Sequence, residues 1–157
     1  VAFLAEHLVD LLLHHRDLLR HRRVLALRHI AFAGHRRDAR FGNGKALRYP
    51  VGVGRASKQW TGTAMINGKQ LRPAWSPPAE VKRDKPSLPN VIPGGAPSNP
   101  MGAAAMTLSG GEYAIHGTNQ PGSIGGFVSY GCIRMHNRDV LDLYARVSVG
   151  TQVVVTR

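Results

Sequence analysis

Two residues in this chain have the types and spacing for covalent catalysis: Cys132, the only cysteine, and His116, sixteen residues before it. A thiol becomes a strong nucleophile when a base or a positive field takes its proton, and a histidine delivered from elsewhere in the fold commonly does this. The cysteine lies in Ser129-Tyr130-Gly131-Cys132-Ile133-Arg134. Gly131 leaves room for a substrate carbonyl against the main chain, where the amides around the cysteine can stabilise an oxyanion. Arg134 adds fixed positive charge near the sulfur and can hold a substrate carboxylate. His136, four residues after Cys132, is an alternative base, although a histidine on a turn entering a helix is more often simply solvated.

These groups need elements to hold them. Ala103 to Leu108 and Glu112 to His116 read as two strands joined by Ser109-Gly110-Gly111, which puts His116 at a strand end. The connection onward contains Gly122, Gly125 and Gly126 and can fold back to bring His116 and Cys132 together. Beyond the cysteine, Asn137 is predicted to cap a helix whose Val140, Leu143, Tyr144 and Val147 follow the i, i+3, i+4, i+7 pattern. Gly150 is predicted to end that element before a β-branched strand from Thr151 to Thr156. Upstream, Leu47 to Val53 alternates as a strand, and Thr61 to Ile66 with Lys69 to Arg72 reads as a hairpin about an Asn67-Gly68 turn. The segment from Arg72 to Pro100 holds most of the chain's prolines and is incompatible with regular helix or central strand. It is expected to form a wall or lid over the site, with Trp75 as its anchor or as substrate wall. Lys82, Arg83 and Lys85 read as a solvated charge run.

Composition bounds what surrounds this machinery. The 157 residues, 43% of them hydrophobic, suffice for one packed domain, and 18 glycines with 10 prolines favour a loop-rich, mainly β body. A single cysteine excludes an internal disulfide framework. The formal charge of +12 predicts association with polyanions without choosing among nucleic acid, anionic lipid and acidic wall polymer, and no basic motif interleaved with aromatics selects nucleic acid. No apolar run is long enough for a spanning helix, and Val1 to His7 lacks the basic start of a signal peptide.

Residues 1 to 40 contain six of the eight histidines and eight arginines but no lysine, whereas all five lysines come later. Leu4, Leu8, Leu11, Leu12, Leu18, Leu19 and Leu25 recur at near-helical spacing, predicting a basic helix from about Ala2 to Leu27. Residues 1 to 44 are therefore read as an atypical helical segment, either an added element or a mis-started or truncated N-terminus, and 45 to 157 as a catalytic domain. The irregular histidine spacing argues against a metal site in that segment.

The run from His116-Gly117-Thr118-Asn119-Gln120-Pro121-Gly122-Ser123-Ile124-Gly125 to Ser129-Tyr130-Gly131-Cys132-Ile133-Arg134-Met135, then Asn137 and Asp139-Val140, resembles the active-site signature of YkuD-type L,D-transpeptidases. Upstream, Pro93-Gly94-Gly95, Asn99-Pro100-Met101-Gly102 and Ala105-Met106-Thr107-Leu108 resemble the same catalytic domain, from about Ala46 to Val155. The resemblance implies a mainly β (α+β) fold: a compact mixed β-sandwich with one short helix near the C-terminus, to which the N-terminal helix would be an addition. It implies a cysteine-dependent acyltransferase of bacterial peptidoglycan in the periplasm or cell envelope, with no cofactor and no metal. By motif position Cys132 resembles the nucleophile and His116 the proton donor and acceptor, with the Gly117 carbonyl orienting the imidazole. Ser129, Tyr130, Gly131 and Arg134 resemble the flanking oxyanion and substrate positions, and Asn99 joins Trp75 as a candidate for the substrate wall. Many relatives have histidine where Tyr130 stands.

The implied reaction joins two tetrapeptide stems. Cys132 attacks the carbonyl of the third, diamino-acid residue, expels the terminal D-alanine and leaves a thioester, which an amine of a second stem resolves without ATP. Carbapenems are expected inhibitors, and no specific nucleic acid partner is implied. Two alternatives stay open: a cysteine carboxypeptidase or endopeptidase using the same site with water, and a non-catalytic basic wall-binding module.

Overall fold

The computed structural model describes residues 27–33, 36–40 and 46–156. Its strands are β1 (Leu27–Ala33), β2 (Arg36–Arg40), β3 (Ala46–Gly54), β4 (Gly62–Leu71), β5 (Ala104–Leu108), β6 (Ala114–His116), β7 (Phe127–Ser129), β8 (Ile133–Met135) and β9 (Val147–Thr156), with helices α1 (Ala79–Asp84) and α2 (Asn137–Arg146). The sheet runs β2-β1-β9-β4-β5-β6-β8-β3-β7, and an additional β2–β3 pairing links its first strand to its last but one. Parallel and antiparallel ladders are mixed, as the mainly β expectation requires, and α2 is the helix near the C-terminus. Tyr49, Val51, Ile66, Met106, Leu108, Ile115, Ile133, Met135 and Val153 from the strands meet Val140 and Leu143 of α2 in one buried core. Among the described residues no helix is long and apolar enough to cross a membrane.

Several local expectations change. The predicted hairpin about Asn67-Gly68 is one continuous strand: β4 pairs with β9 through Gly62 to Met65 and with β5 through Ile66 to Leu71. Ile66 faces Leu108 and Gly68 faces Thr107, so Asn67 is the extra residue of a bulge, and its side-chain oxygen accepts from Thr107 Oγ1 at 2.5 Å. The two residues that signal a tight turn instead bend a strand that has partners on both sides.

The C-terminal helix also stops earlier than Gly150. It ends at Arg146, and the β-branched Val147 opens β9, within which Gly150 takes φ +89°. Lys69 Nζ, over the Tyr144 ring, donates to the carbonyls of Tyr144 (2.7 Å) and Val147 (2.5 Å), satisfying acceptors the helix end leaves open. At the other end of α2, Asn137 is the first helical residue after the cap position His136, and its side chain makes no cap. Asp142 accepts from the Tyr49 hydroxyl and from Arg146, fastening the same helix to β3.

Residues 27 to 40 differ from the helical reading of segment 1–44. β1 runs parallel to β9, and β2 pairs antiparallel with β1 and β3. The helix expected from Ala2 lies outside the described residues up to position 26. In the proline-rich segment, α1 forms one short helix between Pro78 and Pro86, where only irregular structure was expected.

Candidate active site

The site is organised by the parallel ladder between β6 and β8, which sets Ile115 beside Ile133 and His116 beside Arg134. Side chains alternate faces along a strand, so the two isoleucines go to the core and His116 and Arg134 share the opposite face. Cys132, two residues before Arg134, falls on that same side. The sixteen-residue connection therefore returns to the strand it left, and the register delivers histidine, cysteine and arginine to one surface.

The turn bearing the cysteine is tightly specified. Gly131 has φ +115°, and a Cβ there would lie 2.4 Å from Tyr113 Cε1. Only glycine combines that backbone with that contact. Ser129, 2% exposed, donates to the Cys132 carbonyl at 2.5 Å and accepts from the Gly131 amide at 3.1 Å, closing the turn with one hydroxyl. Trp60, stacked on Tyr113 at 5.0 Å, donates to the Gly131 carbonyl at 3.0 Å. Ser129 and Gly131 thus act on the shape of the turn, and the Gly131 amide is already engaged.

His116 is 4% exposed, and its Nδ1 lies 2.6 Å from the Gly117 carbonyl oxygen. A carbonyl only accepts, so Nδ1 carries the hydrogen and Nε2 of the neutral ring is the free base. Gly117 has no room for a side chain, since a Cβ would lie 2.2 Å from Asn137 Oδ1. That asparagine holds the loop behind the imidazole: Oδ1 accepts from the amides of Ala103 (3.0 Å) and Thr118 (3.1 Å), and Nδ2 donates to the Thr118 carbonyl (3.1 Å).

A cavity of about 300 Å³ opens over this face, lined by His116, Cys132, Arg134, Ser129, Tyr130 and Trp75. Burial lowers the His116 pKa to about 4, with the Arg134 charge acting the same way and carbonyls of Gly117 and Pro100 partly opposing. Burial raises the Cys132 thiol, and the Ala114 amide and Arg134 pull only partly against it. Arg134 does favour the thiolate as expected, but desolvation wins. Both shifts favour the neutral forms, thiol and imidazole. The cysteine Sγ lies 3.9 Å from the Glu112 carbonyl oxygen.

The proline-rich segment walls the cavity. Trp75 exchanges two backbone hydrogen bonds with Ile92, at 2.9 and 2.8 Å, and this bridge carries the half-buried indole to the pocket. Asn99, expected in the substrate wall, is instead 2% exposed and does not line the cavity. Its Nδ2 donates to the carbonyls of Pro73 (2.9 Å), Pro93 (2.9 Å) and Ile92 (3.2 Å), while Oδ1 accepts from the Met101 amide (2.9 Å). This one amide ties positions 73, 92, 93 and 101 together, adding to the backbone bonds that Ile92 and Pro93 accept from Trp75 and Ala96. The helix α1 is latched to the cysteine side: Lys58 binds Glu80 (2.5 Å), Arg55 reaches Asp84 (3.4 Å), and the Tyr130 hydroxyl donates to Asp84 (2.7 Å). Arg55 also lies 4.2 Å over the Tyr130 ring. The hydroxyl bond from Tyr130 holds the Asp84 carboxyl below its ordinary range, with Arg55 helping. His136 lies outside the cavity lining.

Sequence reasoning did not single out Glu112, Tyr113, Lys58 or Glu80, all of which line the cavity. The strand expected from Glu112 begins only at Ala114, so Glu112 sits in the bend before β6 and strand alternation does not mark it. Lys58 and Glu80 arrive from segments distant in the chain, and no local pattern marks them.

A family model described as the L,D-transpeptidase catalytic domain, YkuD, matches residues 33–155. YbiS of Escherichia coli (strain K12), a probable L,D-transpeptidase, is 38% identical over 120 residues, covering 71% of this chain and 38% of its own. ErfK/SrfK of the same strain, with the same description, is 41% identical over 115 residues, covering 68% and 36%. The chain thus spans well under half the length of these relatives. L,D-transpeptidase 3 from Mycobacterium tuberculosis, solved with a faropenem-derived adduct, shares the fold with a TM-score of 0.61 at 14% identity, over 82% of this chain and 59% of that one. The matched span contains the whole β6–β8 ladder with its histidine, cysteine and arginine, and the chain belongs to the YkuD family of L,D-transpeptidase catalytic domains.

Proposed function

We propose that this domain is an L,D-transpeptidase that exchanges peptide bonds in bacterial peptidoglycan through an acyl-enzyme on Cys132. The observation that carries the reading is the pairing, in one cavity, of a thiol with a buried neutral imidazole whose Nδ1–H is committed to the Gly117 carbonyl. Nε2 takes the thiol proton as sulfur bonds to the carbonyl carbon of the donor stem's diamino acid. The imidazolium returns that proton to the departing D-alanine nitrogen as the C–N bond breaks, leaving a thioester. The backbone amide of Cys132 is the oxyanion donor nearest the reacting carbon along the chain, and Arg134, whose Nε is buried without a partner among the described residues, receives the donor's carboxylate.

An amine of a second stem then attacks the thioester and restores the thiol. The substrate places the enzyme in the periplasm or cell envelope, and the +12 charge suits an acidic wall polymer. Intact mass spectrometry after exposure to a carbapenem tests the nucleophile: one adduct on the native protein and none on Cys132→Ala, with both unfolding at similar denaturant concentrations. A persistent adduct on the alanine variant would sink the assignment. Incubation with tetrapeptide muropeptides separates cross-linked dimers from trimmed tripeptides, the products of amine and of water.

A further inference from the structure

In a chain with 21 Lys and Arg against nine Asp and Glu, an acidic side chain left without a cation is unexpected. Glu80 is bound by Lys58, Asp84 by Arg55, Asp139 by Arg138 and Asp142 by Arg146. Among the described side chains Glu112 is the carboxylate with no salt bridge and no side-chain hydrogen bond, and it lines the cavity that holds the thiol. Its position is not loose, because its own carbonyl oxygen lies 3.9 Å from Cys132 Sγ. Glu112 is exposed, and Arg134, on β8 two residues after the same cysteine, lines the same cavity. One cavity thus holds a guanidinium and a carboxylate without a cation, and both act electrostatically on the sulfur.

Resting on the transpeptidase reading above, we infer that Glu112 is the specificity-determining residue for the second substrate, recognising an acceptor that arrives as a primary ammonium ion. A carboxylate beside the thiol opposes the formation of a thiolate and serves no step of acylation. It does serve the second half-reaction, where a cation must be drawn to a thioester that water also attacks. The acceptor ammonium binds Glu112 and releases one proton to solvent, and its nitrogen attacks the thioester carbon. The C–S bond breaks, and the nitrogen's remaining surplus proton passes through His116 to sulfur, giving an amide and the free thiol.

The test compares Glu112→Gln and Glu112→Asp with the native protein by following the fate of the Cys132 acyl-enzyme. With a cationic stem amine at pH 7.5, Glu112→Gln should lose about tenfold in kcat/KM for the acceptor, the scale of one charge-assisted hydrogen bond, with Glu112→Asp in between. Trimmed tripeptide should rise at the expense of dimer, and acylation by the donor should not slow. Hydroxylamine, neutral at that pH, should resolve the acyl-enzyme equally fast in all three proteins. Equal loss with both nucleophiles, or no loss with either, overturns the role of Glu112 while leaving transpeptidation standing. A native enzyme that acylates but transfers to no amine overturns both.

Discussion

The two sides of the cavity are built differently. On the reacting side, His116 and Arg134 are set by a backbone register, Gly131 by a conformation closed to other residues, and Ser129 by a buried hydroxyl with two backbone partners. On the wall side, residues 72 to 100 are tied to one another by Asn99 and the Trp75–Ile92 bridge, and to the rest of the fold by half-exposed ion pairs, the Tyr130–Asp84 bond and single bonds from Arg72 to Ala103 and from Asn119 to Pro97. The reacting atoms sit where displacement breaks many bonds at once, and the wall sits where it breaks few. The proposed reaction needs precision at the sulfur and the imidazole, and tolerance in the wall past which a bulky substrate would move.

Breaking the rigid side should cost most. Gly131→Ala forces a side chain into the left-handed region and onto Tyr113, and should lose about 4 kcal/mol of stability in urea unfolding. Whatever folds should acylate at least about a hundredfold more slowly with a carbapenem, because the sulfur moves. A normal rate in this variant would mean that the turn does not position Cys132.

The buried imidazole gives the same side a pH signature. Its folded pKa of about 4 lies below that of a free histidine, so between about 6.5 and that value the unfolded chain holds a proton that the native one excludes. The contribution is complete above about pH 6.5 and shrinks as pH falls toward 4, reaching a loss of about 3 kcal/mol. Urea midpoints from pH 7.5 to 4 should trace this decline, and His116→Gln should flatten it.

The wall should give way more gently. Asn99→Ala removes the amide that gathers three carbonyls and should cost about 2 kcal/mol. Hydrogen exchange should rise across 73 to 101 and stay unchanged in β6 and β8. Uniform loosening of both regions would erase the contrast. Smallest is the Lys58–Glu80 latch, with both side chains about one-third exposed. A double-mutant cycle with Lys58→Met and Glu80→Gln should find a coupling of about 0.5 kcal/mol that fades in high salt.

Local chemistry was well advertised along the chain. The β5–β6 hairpin, the strand end at His116, the apolar face of α2 and a proline-rich wall bearing Trp75 all follow from periodicity and turn residues. Misreadings came where one residue type serves two purposes. Asn67-Gly68 makes a hairpin turn or a bulge, and the partners flanking β4 select the bulge. Asn137 caps a helix or ties loops, and the amides of Ala103 and Thr118 claim it. Asn99 looks like a pocket residue until its surrounding carbonyls are counted. Strands β1 and β2 were hidden because the leucine spacing before them reads as helix; β2 pairs with its chain neighbours β1 and β3, and only the β1–β9 partnership is remote.

By itself, then, the sequence determined that there is one thiol, one candidate base in a strand-end motif, and glycines where the chain must turn tightly. These are properties of residue type and short spacing, and local sterics enforce them. Tertiary structure decided that burial favours the neutral imidazole and the thiol over their charged forms, and that Glu112 joins Arg134 in lining one cavity. Burial and cross-strand register set those outcomes, and both depend on residues far away in the chain.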